Sequence, residues 1–231
     1  MSVQNIGCYT GKRFLSFHMF AASFLMSSLS LDAMDRGKQV LAIGVGGGTV
    51  SMGLHDMKPY VNVTAVEIDE LVVKIGFKWF GVKDSKYHHT VLQDGVNYLK
   101  ESAVQGIKFD LIILDACGEL GCPAKPFQNM EILKTFERML TRTGSLVIDI
   151  FPLPMSAEEA LWLKNLQTVF PTCSVIKHGS KIFIIVVCVT YRIRRGSRTR
   201  ALNNTLAKIA SRLKLKDALH NFYVTPLNAA E

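Results

Sequence analysis

Short apolar runs alternate with segments of helical period from Gln39 onward, and this alternation constrains the fold more than any other feature of the sequence. Alternation of this kind predicts parallel strands with helices on both faces of one sheet. The last two runs are joined by a tight Gly-Ser turn, which is too short for a parallel crossover, so the final strand is expected to be antiparallel. The predicted strands are 39–45, 62–68, 89–93, 109–116, 144–151, 173–179 and 181–189. We therefore expect a doubly wound α/β sheet of seven strands, six parallel and one antiparallel.

The residues before Gln39 contain an apolar stretch, 14–31, that follows two basic residues, as the core of a signal sequence would. His18 and several serines interrupt it, which is unfavourable for a membrane span of about 20 apolar residues. We interpret it as a buried helix that packs on the domain. The predicted organisation is an N-terminal helical extension over 1–38 and one domain over 39–231, in a cytoplasmic protein with no membrane partner.

The chain carries a formal net charge of +8, which permits an acidic partner but does not require one. An arginine-rich stretch, 191–200, lacks interleaved aromatic residues beyond Tyr191, so we expect a solvated loop and no specific nucleic-acid site. The five cysteines are irregularly spaced, which favours a reducing compartment over a disulfide framework. Cys117 and Cys122 have no second ligand pair at zinc spacing nearby, so no metal site is expected.

A glycine-rich turn, "GVGGGT" (44–49), follows the first predicted strand. In a doubly wound sheet, ligands bind at the carboxyl ends of the strands, beside this turn. Glycines allow a positive φ and a close approach of the backbone to a ligand. The turn lacks the lysine and hydroxyl of a Walker motif, and the chain has no Gly-x-Ser-x-Gly elbow, which argues against an ATPase and an α/β-hydrolase.

Three carboxylates, Glu67, Asp94 and Asp115, end the second, third and fourth predicted strands. The carboxyl ends of parallel strands meet at one edge, and nucleotide-binding sheets place an acid where Glu67 stands to hold ribose hydroxyls. Taken singly, Asp94 could be a helix cap and Glu67 a solvated strand end, and both alternatives stay open. Together with the glycine turn, the three acids favour an adenosine-containing sulfonium, S-adenosylmethionine or its decarboxylated form.

Several motifs carry a family resemblance that extends from about Phe14 to Val224. The sequence resembles the spermidine-synthase-like branch of the class I methyltransferases, which implies a Rossmann-like sheet. Within that branch it is most similar to the C-terminal module of the eukaryotic elongation factor 1-alpha lysine and N-terminal methyltransferases. The motifs are "VLAIGVGGGT" (40–49), "AVEID" (65–69), "WFG" (79–81), "DGVNYL" (94–99) and "FDLIILDACGELGCPAKPF" (109–127).

The resemblance implies a binding site for S-adenosylmethionine. Glu67 would bind the ribose hydroxyls, Ile68 would pack on the adenine, and Asp94 would accept a hydrogen bond from its amino group. Asp115 would lie beside the sulfonium and the incoming acceptor. The full set of implied cofactor-binding residues is Gly44, Val45, Gly46, Glu67, Ile68, Asp94, Gly95 and Asp115.

Departures from the family pattern bear on the reaction. Polyamine synthases of this branch carry acids at the positions of Gly47 and Gly118, and a basic protein without them is a poor receptor for a polycation. Methyl transfer to a protein amine is therefore preferred, with aminopropyl transfer as the alternative. A cofactor-binding scaffold without activity is the other alternative, because Ala42 stands where many methyltransferases carry an acid.

The predicted acceptor site consists of Asp115 and the loop 116–127, with Asp149 as the second catalytic candidate. Asp149 is a lone acid in an apolar strand, and it could equally be a helix cap or one member of a buried pair. The resemblance implies a protein substrate and names elongation factor 1-alpha as the candidate. The oligomeric state stays open.

Overall fold

The computed structural model describes residues 13–119, 121–151, 157–178, 184–193, 195–219 and 221–227. One mixed sheet forms the centre of the fold. Its strands are β1 (Gln39–Ile43), β2 (Asn62–Glu67), β3 (His88–Leu92), β4 (Phe109–Leu114), β5 (Leu140–Ile150), β6 (Thr172–His178), β7 (Ile184–Val189) and β8 (Phe222–Pro226). They lie in the order β3-β2-β1-β4-β5-β7-β6-β8, with β1 to β5 parallel.

Helices pack on both faces of this sheet, as the alternation predicts. One apolar cluster joins the sheet to α1, α2 and α7, and a second joins the opposite face to α4, α5 and α6, by the residues that each cluster buries. The helices are α1 (Arg13–Ala22), α2 (Thr49–Met57), α3 (Glu70–Trp79), α4 (Gly95–Val104), α5 (Met130–Met139), α6 (Ala157–Val169), α7 (Arg195–Arg212) and α8 (Lys216–Leu219), with a 3₁₀ turn at Lys125–Gln128.

The strand directions confirm one part of the prediction and correct another. β7 runs antiparallel to both β5 and β6, as the short connection requires. The count of seven strands is wrong, because β8 adds an eighth strand antiparallel to β6 at the edge of the sheet. The Asn203 side chain on α7 donates to the Val224 carbonyl oxygen and accepts from the Val224 N–H, each at 2.9 Å. This strand is thus held by a side chain 21 residues away, which the local sequence pattern does not reveal.

The apolar N-terminal stretch is buried as expected, but its helix is shorter than 14–31. The helix α1 ends at Ala22, and the Ser23 hydroxyl donates to the Met19 carbonyl oxygen at 2.8 Å. Phe24, Leu25 and Met26 then continue in turns that remain in the core. Residues 1–12 lie outside the described part of the chain, so the boundary at residue 38 stays a prediction. Among the described helices, none combines the length and the apolar character needed to cross a membrane.

Four of the cysteines depart from the expectation of unpaired thiols. Cys173 and Cys188 face each other across the β6–β7 pairing and form a disulfide, and Cys117 forms a second with Cys122. The first pair depends on strand register and the second on a loop that folds back on itself. Neither disulfide can be deduced from the spacing of the cysteines in the sequence, so the prediction made from that spacing was wrong. Cys8 lies outside the described residues.

Candidate functional site

The glycine turn begins where β1 meets the neighbouring strand β4. Gly44 has a φ of +87°, and a Cβ placed on it would lie 2.3 Å from the Asp115 carbonyl oxygen. The Asp115 N–H donates to the Ile43 carbonyl oxygen at 2.9 Å. Gly44 is thus required by the close approach of two strand ends. Gly46 also has a positive φ, of +51°, yet a Cβ there would meet no atom within 4 Å. The turn is therefore open to a ligand at Gly46.

Glu67, at the end of β2, holds this turn in place. Its Oε2 accepts from the N–H groups of Val45 and Gly46 at 3.0 and 3.4 Å. Its Oε1 accepts from the N–H groups of Ile68 and Asp69 at 2.9 and 3.1 Å. Four backbone donors therefore converge on one half-buried carboxylate. Because an ionised acceptor makes stronger hydrogen bonds than a neutral one, the β1 turn and the end of β2 are fixed relative to each other.

Asp94 caps α4, as the alternative interpretation of its position proposes. Its Oδ1 accepts from the N–H groups of Val96 and Asn97 at 2.8 and 2.9 Å. A Cβ on the next residue, Gly95, would lie 2.6 Å from a methyl carbon of Ile43 and 3.0 Å from the Phe127 ring. The α4 N-terminus can therefore approach β1 only because residue 95 has no side chain.

Exposed apolar side chains lie at the end of β2, at the register partner of Glu67 in β3 and beside the glycine turn. Ile68 follows β2 and is 67% exposed, and Leu92 is the last residue of β3 and is 51% exposed. On the other side of the turn, a Cβ at Gly47 would lie 3.4 Å from the Phe80 ring. The sequence analysis selected Ile68 as a site candidate and did not select Leu92 or Phe80. The signal for Phe80 was present in the "WFG" motif, whereas the exposure of Leu92 at a strand end has no sequence signal.

Two acids lie at the ends of β4 and β5. Asp149 is fully buried, and burial together with the charge of Asp115 raises its pKa to about 7. The Ile150 N–H offsets part of this shift, although neither Asp149 carboxylate oxygen makes a hydrogen bond to any described residue. Burial alone raises the pKa of Asp115 to about 6. The structure thus brings the two predicted catalytic residues close enough to interact electrostatically.

The predicted acceptor loop lies beside these acids. Cys122 pairs with Phe151 in an antiparallel bridge, in which the Phe151 N–H donates to the Cys122 carbonyl oxygen at 3.0 Å. The Ala124 N–H donates to the Ala116 carbonyl oxygen at 2.9 Å, which closes the loop. The two sulfur atoms of Cys117 and Cys122 lie within 4.8 Å of an Asp149 carboxylate oxygen. The loop after β4 is therefore anchored to the end of β5.

The sequence matches the spermine/spermidine synthase domain over residues 19–182. The chain belongs to this family. It is 27% identical over 199 residues to the "eEF1A lysine and N-terminal methyltransferase homolog" of Drosophila melanogaster, covering 80% of this chain and 29% of that protein. It is 26% identical over 157 residues to the human "eEF1A lysine and N-terminal methyltransferase", covering 64% of this chain and 22% of that protein. The chain therefore spans less than a third of the length of these relatives.

A solved structure shares the fold. Human methyltransferase-like protein 13 in complex with SAH superposes with a TM-score of 0.77 at 22% identity, covering 87% of this chain and 92% of that chain. The Rossmann-like class I methyltransferase fold expected from the motifs is thereby confirmed, with the added eighth strand. The resemblance to the spermidine-synthase-like branch is confirmed as well.

Proposed function

We propose that this chain is an S-adenosylmethionine-dependent methyltransferase that acts on a protein amine, either a lysine or an N-terminal amino group. The observation that carries the proposal is the Glu67 carboxylate, which four backbone N–H groups hold at the open side of the glycine turn. An acid in this position suits ribose hydroxyls and repels phosphates. Relatives named as eEF1A lysine and N-terminal methyltransferases support the same reaction.

The site fits an adenosyl group. Ile68 and Leu92 offer exposed apolar surface for the adenine ring, and Glu67 would hold the ribose hydroxyls. Both cap hydrogen bonds of Asp94 use Oδ1, so its Oδ2 is available to accept from the adenine amino group. The backbone of Gly44, Val45, Gly46 and Gly95 would line the remaining surface of the cofactor.

When bound, S-adenosylmethionine supplies an electrophilic methyl group on a sulfonium. The chain must then align a neutral amine for in-line displacement and keep water away. We assign alignment of the amine to Asp115, whose carboxylate is half-buried at the end of β4. Asp149 is the second acid, and the loop 116–127 would contact the protein acceptor.

Elongation factor 1-alpha is the acceptor that we propose first, because the relatives are named for it. Aminopropyl transfer is the less favoured alternative, since glycines occupy positions 47 and 118, where polyamine synthases carry acids. The net charge of +8 also disfavours a polycationic substrate. A cytoplasmic location and the lack of specific nucleic-acid and membrane partners stay predictions.

Calorimetric titration with S-adenosylmethionine tests the cofactor. We expect saturable binding by the wild type and at least about tenfold weaker binding by Glu67→Ala, from the loss of a charged hydrogen-bond acceptor. Glu70→Ala is the matched control, because Glu70 is exposed on α3 and pairs only with Lys74 at 2.9 Å among the described contacts. No heat at millimolar cofactor would exclude the methyltransferase.

Transfer is tested by incubating the protein with methyl-labelled cofactor and purified elongation factor 1-alpha, and then with a cell lysate. At saturating cofactor, Asp115→Asn should lower the labelling rate by about 100-fold or more. Cofactor binding without any labelled protein would favour the scaffold. Conversion of putrescine to spermidine with decarboxylated cofactor would favour the aminopropyltransferase.

A further inference from the structure

Asp149 occupies an unusual position for an acid. It lies in β5, is fully buried, and neither of its carboxylate oxygens makes a hydrogen bond to a described residue. A buried carboxylate without a partner is costly unless it carries a proton or faces a cation. The groups that its oxygens face include the sulfur atoms of Cys117 and Cys122, all within 4.8 Å of one another. Methyl transfer makes no use of these sulfur atoms.

Two thiolates and one carboxylate form a ligand set for a soft or borderline divalent cation. Zinc takes cysteine sulfur at about 2.3 Å and carboxylate oxygen at about 2.0–2.2 Å in a tetrahedral arrangement. This geometry requires the two sulfur atoms to separate to about 3.8 Å once their disulfide is reduced. Cys117 is exposed and Cys122 half-buried, so an ion can enter from solvent and keep a water in its fourth position.

Backbone pairings in the loop and at the end of β5 hold the three proposed ligands close together. The Cys122–Phe151 bridge ties one ligand to the end of β5, two residues beyond Asp149. Gly118 and Gly121 pair with each other across the loop, which brings Cys117 back beside Cys122. Asp115 stands near enough to act on Asp149 electrostatically, and its negative charge further favours a bound cation.

We propose that, in the reduced chain, Cys117, Cys122 and Asp149 bind one Zn²⁺ ion. The site exists only after a dithiol reductant donates two electrons and two protons to the Cys117–Cys122 disulfide and is itself oxidised to a disulfide. Binding then releases both thiol protons, and the oxidised chain has no zinc site. The two sulfur atoms take no part in the proposed methyl transfer, whereas Asp149 is shared with the proposed acceptor site, so zinc binding is measured without cofactor or acceptor.

Zinc titration of the full chain tests the site. The protein is reduced, freed of metal with a chelator and titrated with Zn²⁺ by calorimetry, and then with Co²⁺ for its thiolate charge-transfer absorption. We expect one ion per chain for the reduced wild type and none for the oxidised wild type. Cys117→Ser and Cys122→Ser should each weaken binding at least about tenfold and reduce the cobalt absorption.

Asp149→Asn tests whether the carboxylate is a zinc ligand or whether the two cysteines alone bind the ion. It should weaken zinc binding at least about tenfold while the cobalt–thiolate absorption persists at high Co²⁺. Cys173→Ser, in the other disulfide, is the matched control and should bind zinc as the wild type does. No stoichiometric zinc in the reduced wild type, or wild-type affinity in both Asp149→Asn and Cys122→Ser, would overturn the proposal.

Discussion

The acids at the carboxyl ends of the strands fall into two groups that are built in opposite ways. Glu67 and Asp94, on the β2 and β3 side, accept six hydrogen bonds from backbone N–H groups between them. Asp149, on the β5 side, is fully buried and makes none to the described residues. Backbone hydrogen bonds hold the first group in place before any ligand binds. The buried carboxylate of Asp149 has no such bonds, so a proton or a cation would stabilise it. The half that we propose for the cofactor is therefore fixed by hydrogen bonds, whereas the half that we propose for the acceptor contains a buried acid without such bonds.

Gly44 lies where the two halves meet, and its replacement should have the largest effect on the free energy of unfolding. Gly44→Ala puts a methyl group 2.3 Å from the Asp115 carbonyl oxygen, so the strand ends must separate. We expect a loss of at least about 3 kcal/mol in the free energy of unfolding, measured with urea. Gly46→Ala is the control and should lose about 1 kcal/mol, because it adds strain at a positive φ without a clash. Equal losses would mean that the two halves are not rigidly joined.

Removing the carboxylate charge from the fixed half should come second. Glu67→Gln replaces one carboxylate oxygen by an NH₂ group that cannot accept, so two of the four hydrogen bonds from backbone donors are lost and the other two are weakened. We expect a loss of about 2 kcal/mol in the free energy of unfolding. Glu70→Gln, three residues along the chain, loses only an exposed ion pair and should change stability by less than about 0.5 kcal/mol. Urea unfolding of both proteins without cofactor gives the difference. A Glu67→Gln variant as stable as wild type would show that the turn does not depend on this acid.

Two acids that cap helices allow an effect on protein stability to be distinguished from an effect on cofactor binding. Asp94 caps α4 and Asp69 caps α3, each by accepting from two backbone N–H groups. Replacement by Ala should therefore destabilise either protein by about 1 kcal/mol. Only Asp94→Ala should also weaken binding of S-adenosylmethionine, because only Asp94 is assigned a contact with adenine. Equal affinities in a calorimetric titration would remove Asp94 from the proposed site.

Asp149→Asn should change the free energy of unfolding by a smaller amount and should not lower it, unlike the replacements above. It removes a buried charge that has no hydrogen-bond partner among the described residues, so stability should stay constant or rise by up to about 1 kcal/mol. The measurement uses reduced, chelator-treated protein at pH 8, where the carboxyl group is ionised. A loss of 2 kcal/mol or more, comparable with that of Glu67→Gln, would mean that Asp149 is as well satisfied as the acids of the fixed half.

The smallest expected effect is the contribution of two histidines to the pH dependence of stability. Burial lowers the pKa of His55 and His88 below the usual 6.5, so both are neutral in the folded protein at pH 7. At these two histidines the unfolded chain binds more protons as the pH falls through 6.5, so they contribute a decrease in stability toward pH 5, whereas the raised pKa values of Asp115 and Asp149 act in the opposite direction. His88→Gln should flatten this decrease, whereas His89→Gln, at an exposed position, should not. A pH dependence of stability in His88→Gln identical to that of the wild type would contradict the lowered pKa of His88.

Sequence reasoning found the fixed half almost completely. Strand alternation placed Glu67, Asp94 and Asp115 at one edge because parallel strands share a direction, and the structure agrees. The alternative role of Asp94 as a helix cap was also available from its position before a helical segment, and it is confirmed. These features follow from local periodicity, which the sequence displays directly.

The errors concern contacts between distant segments. β8 pairs with β6 through residues about 48 positions apart and depends on Asn203, so no local pattern marks it as a strand of this sheet. The disulfides depend on β6–β7 register and on the fold of the loop after β4. We include Leu92 in the proposed adenine site because it is exposed at a strand end, and the sequence gives no measure of that exposure.

The added strand β8 also determines which backbone groups the sheet presents to solvent. Because β8 covers one side of β6, a chain cut just before Phe222 would expose the N–H and C=O groups of β6 along that side. His18 of α1 stacks on Phe222 with ring centroids 3.8 Å apart, so the cut would also remove a partner from the first helix. An uncovered strand edge is a template for pairing with another chain. With β8 in place, the edge of the sheet is five residues long instead of seven and ends at Pro226, which has no N–H to donate, so fewer backbone groups are open to pairing.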